Sequence, residues 1–457
     1  TWIIGRIPGA SYTYDPQLGR VEVLYAPPWN GELPSAQDSK PIAKFTFGKA
    51  SYKMGEPVKY IDLSYDADGD GIKYATWKGR EEAFFEPGEH VVSLQVEDGK
   101  GNKSDWFSRT VVVTDEMLYT SLEYAMRFAK PQSFVKLGDA ELKERFRNAA
   151  KMKVEPELAA GRRLLVSDSP ETIAEYGILY RDTVDGDGRL YAHHLNGMDE
   201  DVQFAIVATN ESDETVTIRT LRKGEVYPTP YVQMTGYQAS VDFLIGDEIK
   251  PALILRPGES AAYAVLPNLR KGQGINLIYD VATSGKVSFT FAAAKPGASA
   301  AEMYADPKEL PYDKHVRGTF AASDIRMTAD AGGTNIPVRF TIGDNSDDKF
   351  IEGYDAFRKE NTENRGNYGV LYRIRVHNPG KAAIVMLARG GTYKGPVKID
   401  GEIMLAPASG VLTPLDGVFL LHRTEGGEPY VDIEFTPAAG SSLPLDFIFY
   451  PIDDEKS

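Results

Sequence analysis

Three aspartates at alternate positions form the motif in this sequence that is most suited to holding a metal ion. Asp66, Asp68 and Asp70 lie in the segment 66–71, which has the D-x-D-x-D-G start of a calcium-binding loop. Carboxylates this close repel one another, and a hard cation relieves the repulsion. Position 12 of the loop is Trp77 rather than a bidentate glutamate, which excludes an EF-hand. The motif predicts either a calcium site of another kind or an exposed turn in which Asp and Gly supply the backbone geometry.

A group of tyrosines beside two prolines is the second candidate site. Tyr227 and Tyr231 flank the segment 228–230, and Tyr237 follows six residues later. β-Sandwich proteins that bind sugars commonly stack pyranose rings on exposed aromatic side chains. The sequence therefore predicts a ligand-binding surface formed by these three tyrosines. The alternative is that they are loop tyrosines, held by the prolines, which pack on their own domain.

Two adjacent histidines are the third feature with possible chemistry. Side chains next to each other on a strand point to opposite faces, so His193 and His194 cannot readily hold one metal ion. We predict structural histidines here. The short Asp/Gly segment 184–188, which precedes them, predicts a hairpin turn.

The motifs of several enzyme classes are missing from the sequence. There is no Gly-x-Ser-x-Gly elbow, phosphate-binding loop or His-Glu-x-x-His helix. Because there are no cysteines, disulfides, thiolate catalysis and Cys-ligated metal sites are excluded. We predict no catalytic residue. A hydrolase remains an open alternative, because its paired carboxylates come from distant parts of a sequence.

Composition limits the partners and the compartment. The net charge of −15 argues against nucleic acid and against docking on an anionic membrane by charge alone. No apolar run reaches the about 18–20 residues that cross a bilayer, so we predict no membrane insertion. A cysteine-free chain rich in Tyr and Gly fits bacterial export, although cytosolic proteins can lack cysteine too. Because the chain starts at Thr1 without a signal sequence, we expect it to be a processed or trimmed piece of a longer protein.

A repeated segment indicates how the chain is organised. The sequence of 176–181 returns at 368–373 with one conservative change, and a fainter copy occupies 417–423. Such runs of β-branched and aromatic residues favour strands. The repeat predicts two related β modules in the last two-thirds of the chain. Alternation along a strand predicts Val370, Tyr372 and Ile374 on the buried face, with the arginines between them facing outwards.

The fold class that follows is mainly β, built of several antiparallel β-sandwiches with a short helical connector. Linkers near 35–40 and 295–314 lead us to expect that 39–114 and 315–457 fold as separate pieces. Residues 115–162 have apolar side chains at helical spacing and form the predicted connector. The predicted segments are 1–38 (extended segment and linker), 39–114 (β-sandwich), 115–162 (helical connector), 163–297 (β module), 298–314 (linker) and 315–457 (second β module).

Residues 41–114 resemble a PKD domain, an immunoglobulin-like β-sandwich that is common in extracellular proteins. The resemblance lies in the order of short motifs along this stretch, and it covers nearly all of it. One departure follows Trp77, where the usual Gly-Asp-Gly is replaced. The matching motifs are Pro41–Phe45, Gly55–Val58, Ser64–Asp70, Trp77, Pro87-Gly88 and Val92–Asp98.

Residues of about 41–452, taken together, resemble a group of exported Gram-positive surface proteins that often carry a PKD unit behind a stalk domain named after the copper amine oxidase N-terminus. Segments such as 180–184, 315–320 and 366–370 carry this resemblance. The resemblance implies a bacterial cell-surface or secreted location. It implies no chemistry, because the group has no established activity. Oxidase chemistry is not expected, because Asn367-Tyr368-Gly369 lacks the acid of the quinone motif and no His-x-His pair occurs.

Two functions are consistent with these observations. The first is a non-catalytic structural or adhesive surface protein that presents β-sandwich binding modules. The alternative is a carbohydrate-binding or carbohydrate-active accessory region of a secreted protein. The predicted partner is a cell-wall or extracellular glycan, or another surface protein, and the predicted cofactors are none or calcium.

Overall fold

The computed structural model describes residues 39–453, except 68, 247, 306–307, 334 and 416, together with the backbone of 11–15 and 20–25. The chain forms two compact units, Thr1–Thr120 and Ser121–Ser457. Strands dominate both units. The protein is therefore mainly β, with antiparallel and mixed sheets, as the sequence predicts.

The first unit contains a short antiparallel ribbon and a two-sheet sandwich. β3 pairs with β5, and the second sheet has the order β4-β8-β7-β6. β4 runs parallel to β8, whereas the other pairs are antiparallel. The strands are β1 (Ser11–Asp15), β2 (Arg20–Tyr25), β3 (Phe45–Phe47), β4 (Ser51–Met54), β5 (Tyr60–Asp62), β6 (Ile72–Lys78), β7 (Gly88–Asp98) and β8 (Phe107–Met117).

Alternating apolar residues of β7 and β8 build the core of this sandwich. Val92, Leu94 and Val96 are buried, and the residues between them are more exposed. Phe45 packs against them from the other sheet and meets Trp77 in an edge-to-face contact with ring centroids 4.9 Å apart. Such alternation is what a strand with one face towards a core requires.

The second unit carries the other strands and all four α-helices of the described residues. The helices are α1 (Ser121–Phe128), α2 (Asp139–Leu142), α3 (Val232–Ile245) and α4 (Ala300–Ala305), and a π-helical turn covers Lys143–Arg147. The strands are β9 (Ser133–Lys136), β10 (Ala150–Lys151), β11 (Val154–Ala159), β12 (Arg162–Ser167), β13 (Thr172–Ile173), β14 (Gly177–Asn196), β15 (Gln203–Asn210), β16 (Val216–Glu225), β17 (Ile249–Leu255), β18 (Ser260–Val265), β19 (Gly274–Ala294), β20 (Arg317–Phe320), β21 (Asp324–Asp330), β22 (Val338–Ile342), β23 (Glu352–Asp355), β24 (Glu360–Glu363), β25 (Leu371–His377), β26 (Ala382–Ala388), β27 (Gly395–Ile399), β28 (Glu402–Ala406), β29 (Gly417–Arg423), β30 (Tyr430–Phe435) and β31 (Leu445–Pro451).

Two long antiparallel strands, β14 and β19, organise the first module, an eleven-stranded sheet. β19 pairs with β16 along its first half and with β15 along its second half. The prediction of a hairpin turn at 184–188 is wrong, because these residues continue β14 through a bulge between Asp185 and Asp187. Gly186 at φ 90° accommodates the bulge, a conformation that glycine adopts without steric cost.

The second module is a sandwich of two six-stranded sheets. Their orders are β10-β22-β31-β26-β29-β9 and β11-β21-β25-β30-β27-β28. The predicted faces of the repeated strand are confirmed for the inward residues and for the arginines, but Leu371, predicted on the outward face with the arginines and only partly covered, is fully buried. Val370, Tyr372 and Ile374 are buried, while Arg373 and Arg375 are exposed.

The structure divides the second unit differently from the predicted segments. Strands β9, β10 and β11, from the predicted connector 115–162, lie at edges of the two sheets of the second module. Strands β20, β23 and β24, from beyond residue 315, extend the sheet of the first module. The predicted helical spacing is found in α1, whose Leu122 and Met126 pack on the outer face of a second-module sheet.

Helix α3 was not predicted from the sequence. Its side chains are buried on several sides, where it packs against β16, β19 and β27. A Cβ on Gly236 would lie 2.1 Å from the backbone nitrogen of Ala439, so glycine permits this close approach. A helix covered on several sides has no single apolar stripe, which removes the periodic signal that reveals a helix in a sequence.

Candidate functional site

The aspartates of the predicted calcium loop have protein partners in the described residues. Asp66 Oδ2 accepts a 2.9 Å hydrogen bond from the backbone N–H of Gly71. Asp70 lies 3.2 Å from the ammonium group of Lys100. Asp68 lies outside the described residues. Protein groups thus satisfy part of the hydrogen-bonding and charge requirement of these carboxylates. Calcium binding at this turn stays a prediction.

The three predicted ligand-binding tyrosines lie in two different environments. Tyr227 and Tyr231 have the most exposed large apolar or aromatic side chains of the described residues, at 80% and 70% exposure. Tyr237 is buried within α3, and the ammonium group of Lys394 lies 4.5 Å from its ring centre. The structure therefore leaves two of the three rings available to a ligand.

Tyr227 borders a cleft of about 450 Å³ between the end of β16, helix α3 and the loop at Leu266. Glu225, Gln238 and Asp242 supply polar groups to the same cleft. Glu225 is held in place, because it accepts a hydrogen bond from the Tyr279 hydroxyl and pairs with a neighbouring lysine. Burial, and then the charge of Glu225, raise the pKa of Asp242.

A second polar cluster lies where β12 ends beside β14. These strands are parallel, and Ser167 lies opposite Ala192. The residues that follow them, Asp168 and His193, are therefore neighbours. His193 Nδ1 lies 3.1 Å from Asp168 Oδ1. Glu171 completes a group in which one ligand atom of each of the three side chains lies within 4.8 Å of the others.

Burial and mutual attraction act in opposite directions on this cluster. Burial raises the pKa of Asp168, and the hydrogen bond and charge of His193 reduce that effect without cancelling it. Burial opposes a charge on His193 as well, but the hydrogen bond and charge of Asp168 outweigh it and raise the pKa of the imidazole. The pair is therefore stabilised mainly by its own hydrogen bond.

The cluster continues to the surface through a second imidazole. His315 Nε2 lies 3.1 Å from Glu171 Oε2, and its Nδ1 lies 2.9 Å from Asp313 Oδ2. Ser169 donates a 2.8 Å hydrogen bond to the other oxygen of Asp313. Carboxylates and imidazoles thus alternate from Asp313 to Asp168. His315 also lines an open cleft of about 450 Å³.

His194 has a different environment from its neighbour. Its Nδ1 lies 2.8 Å from the carbonyl oxygen of Pro170, and its Nε2 lies 3.0 Å from Ser167 Oγ. Burial lowers its pKa to about 3, so the ring is neutral at physiological pH. His194 is a structural histidine, as predicted, whereas His193 belongs to the polar cluster.

Asp168 and Glu171 were not among the site residues predicted from the sequence. The signal available was a pair of acids three residues apart directly after a strand. Tyr368, which was weighed as a quinone precursor, donates a 3.0 Å hydrogen bond to the carbonyl oxygen of Ser441. Burial raises its pKa to about 12.

Comparisons with known proteins give little further information. No family model matches the chain, and no curated protein matches it. A carbohydrate-binding module of promiscuous specificity from the β-sandwich superfamily aligns with 56% of this chain and 98% of its own, at 14% identity and a TM-score of 0.16. The exported protein XepA of PBSX aligns with 60% of this chain and 86% of its own, at 10% identity and a TM-score of 0.14.

A third solved structure, Lac15 from a marine microbial metagenome, aligns with 87% of this chain and 76% of its own, at 10% identity and a TM-score of 0.14. TM-scores this low carry no argument about function. Among the helices of the described residues, none has the length and apolar character needed to span a bilayer.

Proposed function

We propose that this chain binds carbohydrate on its first module, as a non-catalytic part of an exported multidomain β protein. The observation that supports this proposal is the cleft beside Tyr227, because it combines an exposed aromatic ring with two acids and an amide. Sugars offer an apolar ring face and a rim of hydroxyl groups, so they need both kinds of contact. A cleft with two acidic side chains favours a glycan-binding role over a purely structural one.

The side chains suggest how a sugar would bind. The ring of Tyr227 would stack on one face of a pyranose. Tyr231, four residues further along the chain, would contact a neighbouring sugar residue. Glu225 and Asp242 would accept hydrogen bonds from sugar hydroxyls, and the Gln238 amide can donate or accept. Because Glu225 is already fixed by its contact with Tyr279, its side chain loses less conformational entropy when a ligand binds.

The class of glycan follows from charge. The chain carries a net charge of −15, and two acids line the cleft, so an anionic polymer would be repelled. We therefore propose a neutral cell-wall or extracellular glycan as the partner. The proposed location at a bacterial surface rests on the resemblance of 41–114 to a PKD domain and of about 41–452, taken together, to exported surface proteins.

A glycan array with the purified chain tests this proposal, followed by titration calorimetry with the best neutral oligosaccharide. We expect Tyr227→Ala to weaken binding about tenfold, or about 1.4 kcal/mol, because it removes the stacking surface. Tyr231→Ala should have a smaller effect. Tyr74→Ala is the matched control, because Tyr74 is also exposed but lies in the first unit.

Two results would contradict the proposal. One is an array without a neutral glycan ligand, and the other is equal affinity of Tyr227→Ala and the unchanged chain. Release of reducing sugar from the bound glycan, abolished by Asp242→Asn, would instead show that the cleft is catalytic.

A further inference from the structure

The polar cluster at the end of β12 has the composition of a metal site. Asp168 and Glu171 come from the turn after β12, and His193 comes from β14. One ligand atom of each side chain lies within 4.8 Å of the other two. His193 Nδ1 lies 3.1 Å from Asp168 Oδ1, so this hydrogen bond orients the ring and leaves Nε2 as the imidazole nitrogen that can bind an ion, the carboxylate–histidine arrangement found at metal sites.

An independent observation points to a ligand. The side chain of His193 is only 6% exposed, and its Nε2 is buried without a hydrogen-bond partner among the described residues. A buried polar atom of this kind costs free energy unless something satisfies it. Asn276 lies directly opposite His193 on β19, so its side chain projects to the same face. Its Oδ1 is also buried and without such a partner.

The cluster is accessible from one side. The side chain of Glu171 is 30% exposed, and that of His315, which holds it, is 29% exposed. Glu171 therefore reaches solvent directly, and His315 also lines an open cleft. His315 is in turn oriented by Asp313, the arrangement in which an outer residue positions a metal-binding carboxylate.

We propose that His193, through Nε2, and Glu171 bind a divalent transition-metal ion, with Asn276 Oδ1 as a further ligand and Asp168 as the carboxylate that positions the imidazole. The donor set is one imidazole nitrogen, one carboxylate and one amide oxygen. Zn²⁺ and Mn²⁺ accept such mixed sets, whereas calcium sites are built from oxygen ligands alone. This site is separate from the Tyr227 cleft and does not depend on the proposed carbohydrate binding.

Titration calorimetry on the chelator-treated full chain tests the proposal, with ZnCl₂ and MnCl₂ as separate titrants. We expect one ion per chain for at least one of the two metals. His193→Ala should weaken that binding at least tenfold, because it removes the nitrogen ligand. Glu171→Gln should also weaken it at least tenfold, and its partial exposure makes this variant compatible with folding. His377→Ala, a histidine on β25, is the matched control and should bind like the unchanged chain.

A thermal melt separates metal binding from loss of fold. The unchanged chain should gain thermal stability with the metal, whereas His193→Ala and Glu171→Gln should show no gain even where their metal-free melts match it. Visible absorption of bound Co²⁺, lost in His193→Ala, would identify the imidazole ligand. The proposal is overturned if no stoichiometric binding is found, or if His193→Ala retains the affinity and melting shift of the unchanged chain.

Discussion

The hydroxyl group of Tyr372 donates a 2.7 Å hydrogen bond to Asp348 Oδ2, and both side chains are fully buried. Asn367 Nδ2 donates to the same hydroxyl, also at 2.7 Å. Tyr372 lies in the repeated segment, and its counterpart Tyr180 is equally buried, with its hydroxyl 3.0 Å from Thr319 Oγ1. In both copies the tyrosine therefore connects its strand to a polar side chain from elsewhere in the chain.

We expect Tyr372 to matter far more for stability than its neighbour. Tyr372→Ala opens a cavity and should cost about 3–5 kcal/mol. Tyr372→Phe keeps the ring but removes one of two hydrogen bonds to Asp348 Oδ2, leaving the one from the Gly343 N–H, and should cost about 1–3 kcal/mol. Arg373→Ala removes only partly exposed ion pairs with Asp324 and Glu434 and should cost less than about 1 kcal/mol. Denaturant unfolding measures all three. A larger loss for Arg373→Ala than for Tyr372→Ala would contradict the assigned faces.

Asp348 makes stability depend on pH. Burial raises the pKa of its carboxyl to about 6, above the value of about 4 that an unfolded chain has. The folded state therefore holds the proton more tightly, and this group's contribution to stability is lost as the pH rises from about 4 to 6. The change is on the order of 3 kcal/mol.

The variant Asp348→Asn does not titrate and should lack this loss. Its unfolding free energy, relative to the unchanged chain, should therefore increase as the pH rises from 4 to 7. Asp355→Asn is the control, because Asp355 is just as buried but is paired with Arg317 at 3.1 Å. That variant should be destabilised by about 3–5 kcal/mol. A pH-independent difference between Asp348→Asn and the unchanged chain would contradict the prediction.

Arg189 is a fully buried cation that joins the two modules. Its guanidinium contacts Asp280 at 2.6 and 3.1 Å and Asp324 at 2.9 Å. It also donates to the carbonyl oxygens of Ser323 and Gly369. Because the partners come from β19, β21 and the turn before β25, one side chain stabilises several strand ends.

Replacing this arginine should be among the most damaging single changes. Arg189→Met removes the cation that pairs with the buried carboxylate of Asp280 and the partly buried carboxylate of Asp324, and should cost about 3–5 kcal/mol. Arg189→Lys should also destabilise, because an ammonium group cannot reproduce the planar set of donors. Arg375→Ala is the control, because its bidentate pair with Asp432 is exposed and should contribute less than about 1 kcal/mol. Equal unfolding midpoints for Arg189→Met and Arg375→Ala would disprove the assignment.

Strand exchange between the modules changes the expected behaviour of fragments. Residues 39–120 contain a complete core and should fold alone, giving a cooperative melt by circular dichroism. Residues 315–457 should not fold alone, because β9, β10 and β11 would be missing from their sheets and β20 would lose its partner β12. The fragment 121–457 is the positive control. A cooperative melt of 315–457 would show that the original boundary at 315 is sufficient.

Local patterns in the sequence determined the strands and their faces. Val92, Leu94 and Val96 alternate with polar residues, and the structure places them in a core. The faces of the repeated strand could be assigned because side chains alternate strictly along a pleated strand. The helical spacing of Leu122 and Met126 indicated α1 for the same reason, since a period near 3.6 belongs to one face of a helix.

Tertiary structure decided which residues meet. Asp168 and His193 are 25 positions apart, and only the parallel pairing of β12 with β14 makes them neighbours. Helix α3 lacks a periodic signal because several elements cover it. Pairing between strands depends on topology and on burial summed over the whole unit, and no local window of sequence contains that information. The sequence therefore determined the fold class and the strand faces, while the polar cluster and the Tyr227 cleft were set by the long-range arrangement of the strands.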